Sequence, residues 1–290
     1  MKTSLPCIGI VIPTYNAGAG FVELLKDIER QTIKPICRLI IDSSSTDNTA
    51  KIARENGWQV QIIAKSEFAH GKTRQQALDM ILQHNSNMEI LIYLTQDVKM
   101  PCKKSLEYLV NSLVDADVAA VYGRQRPHKG ASIYAAVDRD FNYPAKSCIK
   151  SLQDVKKLGI KTAFLSNSFA AYRIRDLQMV GGFPNVDICE DMYVAGKLLL
   201  AGKKIAYASQ AKVEHSHEPK IMEIWKRYRA MGRFQKNNPW LRQNFGAADG
   251  EGRKLLIYQL QTMLKKRKLR EGLKMCMYDL IKYAAYKTGE

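Results

Sequence analysis

The sequence predicts an α/β protein from three observations: short β-branched apolar runs recur, helix-spaced segments separate them, and polar clusters close several of the runs. Ile8-Gly9-Ile10-Val11-Ile12 has the composition of a strand buried on both faces. Phe21, Leu24, Leu25 and Ile28 follow at helical spacing, and Arg38 to Ile41 form a second strand ending at Asp42. Residues 48–56 read as a helix, 60–63 as a third strand, and 72–83 as a helix leading to a fourth strand at 89–94. A helix over 105–114 precedes the apolar run 118–122, and such alternation implies right-handed crossovers. Phe169 to Tyr172 reads as a strand, Gly181-Gly182-Phe183-Pro184 as a turn, and Asp191 to Gly202 as a helix. From Ile221 three amphipathic stretches follow. The expected organisation is therefore a body over 1–219 and a basic helical extension over 220–290.

With 290 residues, 46% of them hydrophobic, the chain can bury a sizeable core. Its six cysteines form no C-x-x-C pair, which suits reduced thiols in a cytoplasmic protein better than disulfides or a structural zinc site. No signal-peptide-like or membrane-spanning apolar run is evident, so a soluble or peripheral protein is expected. The net charge of +17 is uneven. Residues 203–290 hold 20 of the 45 Lys and Arg but only 8 of the 28 Asp and Glu, a net of +12.

Ligands of open α/β sheets bind beyond the carboxyl ends of the strands. Pro13-Thr14-Tyr15-Asn16, Asp42 to Asp47, Thr95-Gln96-Asp97 and the segment around His215 fall at such ends. One such cluster is often only a turn or helix cap, but several on one sheet edge suggest a site. Gly18-Ala19-Gly20 with Asp42 nearly imitates a dinucleotide fingerprint. Glu23 stands where its third glycine belongs, and five residues separate Ile12 from Gly18, so the imitation fails.

The motif order resembles that of family-two glycosyltransferases with the GT-A fold, over about residues 7–217. Ile12 to Asn16 looks like that family's first strand and turn, and Asp42, Ser44 and Asp47 like its nucleoside loop. Thr95-Gln96-Asp97 sits where the family carries its D-x-D metal motif, and Glu190-Asp191 where it carries an E-D pair. His70 to Arg74, Leu94 to Asp97, Gly123-Arg124-Gln125, Phe141 to Pro144 and His215-Ser216-His217 look most like the rhamnosyltransferase branch. The resemblance implies a Rossmann-like mixed sheet with helices on both faces and transfer of a sugar from a nucleoside diphosphate.

It further implies donor binding by Pro13, Thr14, Tyr15, Asp42, Ser44, His70, Arg74 and Gln96. Arg74 would set a cation near the phosphates or the site wall; His70 and Arg74 also read as loop structure. A divalent cation, Mg²⁺ or Mn²⁺, would rest on Asp97, with Thr95 replacing the first acid of D-x-D. His215 is expected to complete the metal site. His215 and His217, two apart on a strand, would share a face, which leaves His217 for a phosphate. Asp191 is the expected general base, held ionised by a helix N-terminus, and a single base implies inversion. Glu190, Arg124 and Asn167 are secondary or acceptor-side candidates, and 125–165 is a lid or acceptor-facing region.

Lys265-Lys266-Arg267-Lys268-Leu269-Arg270 lies between two amphipathic stretches. Such a run gains roughly 1 kcal/mol per cation at an anionic bilayer, so peripheral binding at the inner membrane face is expected. No nucleic-acid recognition motif accompanies it, and a merely solvated bundle is the alternative. The expected partners are a nucleoside-diphosphate sugar, thymidine-diphosphate rhamnose by branch resemblance, and a lipid-linked or glycan acceptor of surface-polysaccharide synthesis. The weakened metal motif leaves a second reading, a non-catalytic nucleotide-sugar or glycan-binding subunit.

Overall fold

Apolar residues alternate along the strands so that both faces of one sheet demand cover. In the computed structural model, which describes residues 6–290 apart from 217 and 219, helices supply that cover on each side. The elements are β1 (Ile8–Thr14), α1 (Gly20–Glu29), β2 (Cys37–Asp42), α2 (Thr49–Glu55), β3 (Gln59–Ile62), α3 (His70–His84), β4 (Ile90–Leu94) and α4 (Ser105–Asn111). There follow β5 (Val118–Arg126), α5 (Ile133–Asn142), β6 (Cys148–Lys150), α6 (Val155–Leu158), β7 (Phe169–Arg173), α7 (Ile174–Met179), α8 (Glu190–Leu200) and β8 (Lys204–Glu214). The extension holds α9 (Ile221–Asn237), α10 (Pro239–Phe245), α11 (Asp249–Lys265) and α12 (Leu269–Gly289).

The sheet runs β3-β2-β1-β4-β7-β5-β8-β6. β7 is antiparallel to β4 and β5, and β6 to β8, while the other neighbours pair parallel. The carboxyl ends of β1, β2, β4, β5 and β8 therefore meet the amino end of β7 at one edge. Strand order reverses between β1 and β4, the crevice where open sheets bind ligands. Val11, Leu39, Leu91 and Tyr93 face α3 and α8, whereas Ile10, Ile12, Ile40 and Ile92 face α1 and α4.

The structure refines two expectations. The 125–165 segment, expected as a lid or acceptor-facing region with no element assigned to it, contains α5, β6 and α6. β8 ends at Glu214, so His215 lies just beyond it, and the same-face argument for the two histidines loses its strand; His217 lies outside the described residues.

β8 also slips. Gly123 pairs with Ala208 but Arg124 with Lys212, so residues 209–211 bulge out of register. A Cβ on Gly123 would lie 2.2 Å from Phe169 Cδ1 and 2.7 Å from the Ala211 carbonyl oxygen, so only glycine fits there. Bulges of this kind re-aim the chain beside a site.

Candidate active site

Thr14 and Asp42 close two paired strands in register, which brings their side chains together. Thr14 Oγ1 donates to Asp42 Oδ1 at 2.8 Å, and Ser45 donates through N to Oδ2 at 2.8 Å and through Oγ to Oδ1 at 2.6 Å. Asp42 is thus buried and shapes the loop rather than capping α2. Ser44, in the left-handed region at φ 57°, ties the loop to the Ile63 carbonyl at 2.7 Å. Asp47 accepts from Thr49 and from the Gly18 amide, and the Thr49 hydroxyl chiefly holds its carboxyl below the ordinary value.

Across the switch point, Tyr15 N–H donates to Gln96 Oε1 at 2.8 Å and Gln96 Nε2 returns a bond to the Tyr15 carbonyl at 3.0 Å. This reciprocal pair fastens the loop after β1, which follows Pro13 and Thr14 of the strand, to the loop after β4 that carries Asp97. The part-exposed Tyr15 ring has Lys65 Nζ 4.3 Å from its centroid, a cation beside a stacking face.

Asp97 and His215, far apart in sequence, meet: Oδ2 lies 3.3 Å from Nε2. Imidazole orientation is set from behind. Gln125 Nε2 donates to Ser166 Oγ at 2.9 Å, which turns its Oε1 toward His215 Nδ1 at 2.8 Å. That bond puts the ring proton on Nδ1 and directs the Nε2 lone pair toward Asp97. Arg139 of α5 fixes the backbone by donating to the His215 carbonyl at 2.8 Å. One carboxylate and one imidazole, with Thr95 Oγ1 buried nearby and lacking a protein partner among the described residues, fit Mg²⁺ or Mn²⁺ completed by substrate oxygens. No cluster of three His, Cys, Asp or Glu occurs among the described residues, so the donor phosphates would have to supply ligands.

The amino end of α8 brings Glu190 and Asp191 to the same edge. Cys189 precedes them at φ 64°, a left-handed turn that starts the helix abruptly. Asn167, buried before β7, contacts both acids: Nδ2 donates to Glu190 Oε1 at 2.9 Å and N donates to Asp191 Oδ2 at 3.4 Å. Its Oδ1 accepts from Tyr172 at 2.6 Å. Glu190 also meets Arg74 Nη1 at 3.0 Å, both side chains buried. Arg74 is one helical turn from His70 and contacts its carbonyl and Nδ1, each at 3.1 Å. Arg74, expected to set a cation near the phosphates or the site wall, is thus paired with Glu190, and His70 belongs to α3 rather than to a loop.

These contacts divide the acids. Burial raises both carboxyls, but in Glu190 the charges of Arg74 and His70 and the Asn167 bond outweigh it, leaving the group below its ordinary value. Asp191 is pushed up to about 7, by burial first and then by the Glu190 charge. Helix position does not hold it fully ionised, contrary to expectation, because a neighbouring anion and desolvation exceed the dipole. Burial, with the Arg74 charge, lowers His70. Arg124 donates through Nε to the Tyr143 carbonyl at 3.1 Å and touches neither acid. Gln125, Ser166 and Arg139 had no assigned role in the sequence; the only signal was Gln125 inside the 123–125 motif.

Comparison with known proteins shows the family to which this fold belongs. The glycosyl transferase family 2 profile matches residues 9–181. The chain is 40% identical over 288 residues, 99% of its length and 90% of the relative's, to the O-antigen chain rhamnosyltransferase WbaN of Salmonella anatum. It is 39% identical over 285 residues, 98% of its length and 89% of the other's, to the O-antigen chain rhamnosyltransferase RfbN of Salmonella typhimurium. Among solved structures it resembles a mannosyltransferase from Pyrobaculum calidifontis in complex with GDP-Man and Mn²⁺ (TM-score 0.62, 20% identity, 98% and 88% of the two chains). It also resembles the Mycobacterium tuberculosis glucosyl-3-phosphoglycerate synthase crystallised with Mn²⁺ and UDP (TM-score 0.55, 15% identity, 80% and 79%). The chain is a glycosyltransferase of family 2 with the GT-A fold.

Proposed function

We propose that this enzyme transfers rhamnose, with inversion, from thymidine-diphosphate rhamnose to a hydroxyl of a lipid-linked or growing glycan in surface-polysaccharide synthesis. The supporting observation is the joint placement of the Asp97–His215 pair and the Glu190–Asp191 pair at one sheet edge. The named activity of the two relatives near 40% identity favours rhamnose.

In this reading Thr14, Tyr15 and the Asp42–Ser44 loop hold the nucleoside, and Gln96 fixes the floor between them. Asp97 and His215 would hold the divalent cation, which when bound neutralises charge growing on the departing diphosphate. Asp191 takes the acceptor proton as the new oxygen–carbon bond forms and the bond from the anomeric carbon to the diphosphate oxygen breaks. Asn167 and the Arg74–Glu190 pair position that carboxylate. The enzyme works in the cytoplasm at the inner membrane face, where a lipid-linked acceptor would be met.

Calorimetry with thymidine diphosphate and Mn²⁺, beside a transfer assay with labelled donor, tests the proposal. Asp97→Asn should lose metal-dependent nucleotide binding, and Asp191→Asn should retain binding while losing turnover by on the order of 10³-fold. Normal transfer by Asp191→Asn would sink the base assignment, and a preference for another nucleotide sugar would sink the donor.

A further inference from the structure

On α12, Leu269, Leu273, Met277, Leu280 and Tyr283 are 63, 69, 64, 67 and 54% exposed. Their steps of four, four, three and three residues confine them to one stripe of the helix. The opposite side is occupied: Gly272 and Met275 pack toward Met263 of α11, and Tyr286 and Gly289 lie against α9. The body therefore cannot cover the stripe by a small rotation of α12. Large apolar residues exposed singly are ordinary, but five in one line are a contact surface.

Immediately before the stripe, the turn over 265–270 exposes five cations in six residues, and Lys274 adds another one helical turn later. α11 enters that turn with Ile257 and Leu264 also more than half exposed. Among the described residues no helix is long and apolar enough to cross a bilayer, so the surface can enter an interface but not span it.

We propose that α12 docks the enzyme onto an anionic lipid bilayer, its apolar stripe in the acyl boundary and the 265–270 turn among the phosphate headgroups. A second copy of this chain is the weaker occupant, because residues 265–289 carry eight Lys and Arg against two acids, so a second such surface offers no complementary charge. The inference gives the membrane location proposed above a surface. It rests on that reading of location and not on the reading of the chemistry.

Flotation of the full-length protein with phosphatidylcholine vesicles, with and without phosphatidylglycerol, is the test. Binding should require the anionic lipid and fall as salt rises. Leu273→Glu with Met277→Glu should cut vesicle binding about tenfold or more without changing the melting temperature or transfer to a water-soluble acceptor. Lys265→Glu with Lys266→Glu should remove the preference for anionic lipid. Hydrogen exchange of the parent protein, which needs no variant, should slow over 269–283 when anionic vesicles are added. Absence of parent binding, stripe variants that float like the parent, or unchanged exchange in α12 would overturn the proposal. So would a parent dimer that the stripe variant dissolves, which would assign the face to a second copy.

Discussion

Asp191 and Glu190 are adjacent carboxylates that the site pushes in opposite directions. With Asp191 raised to about 7, the ionised base accumulates as pH rises through neutrality, so kcat should climb from pH 6 to a plateau above pH 8. Glu190→Gln removes the nearer anion and should move that limb to lower pH by about one unit. An unmoved limb would mean that the profile reports another group. The stability consequence has the opposite sense. A raised carboxyl favours the folded state below its ordinary pKa, and that contribution disappears as pH passes about 7. Asp191→Asn should therefore melt above the parent at pH 8, by roughly 1 kcal/mol, and lose that advantage below pH 4. Gln125 makes a separate prediction, since its amide sets the His215 tautomer. Gln125→Leu should weaken Mn²⁺ binding by about 10- to 100-fold in calorimetry while leaving metal-free nucleotide affinity unchanged. Asp97, Asp191 and His215 were legible because chemistry restricts residue type at strand and helix ends. Gln125 was not, because a buried glutamine has no signature until its neighbours are known.

The strands and helices of the first half could be read because their patterns are local: period two or continuous burial for strands, three to four residues for helices. α5 escaped that reading for a physical reason. Of its ten residues only Val137 is buried, and its companions Met263 and Met275 come from the far end of the chain. The β8 bulge escaped for a similar reason, being set by Phe169 and the Ala211 carbonyl closing around a glycine on the neighbouring strand. Gly123→Ala tests whether the bulge aims His215. The added Cβ must displace Phe169 or the 209–211 backbone, so stability should fall by ~1–3 kcal/mol, read as a lower melting temperature. Metal-dependent nucleotide binding should fall further than the loss of folded protein explains. A variant that merely melts earlier, with full affinity below its transition, would show the bulge to be packing alone.

At the scale of the molecule, the basic extension divides by how it is held. α10 belongs to the main core: Leu241 and Phe245 are fully buried in the cluster with Val194, Leu198 and Leu199, and Gly196 of α8 makes room for the Trp240 ring. α11 and α12 instead hold on through a small apolar cluster and a polar lock. Gln259 and Lys282 both reach Asp138 of α5, at 2.9 and 3.3 Å, while Gly232 and Gly289 let α9 and α12 cross in backbone contact. The two parts should respond differently to truncation. Ending the chain at 237 removes α11 and α12 and, in addition, Leu241 and Phe245 from the main core, two side chains each worth ~2–5 kcal/mol, against a total stability of about 5–15 kcal/mol. That protein should not accumulate in soluble folded form. Ending it at 248 keeps α10 and removes only the clasp, so the protein should fold, melt lower, and still bind nucleotide with metal, because Asp97, His215 and Asp191 keep their neighbours. Arg139, which shares α5 with the lost clasp, gives the sensitive readout: if α5 depends on α11 and α12 for its position, the shorter chain will bind Mn²⁺ more weakly through His215. Circular dichroism and calorimetry on both truncations decide the matter. A folded, nucleotide-binding protein ending at 237 would refute the division drawn here.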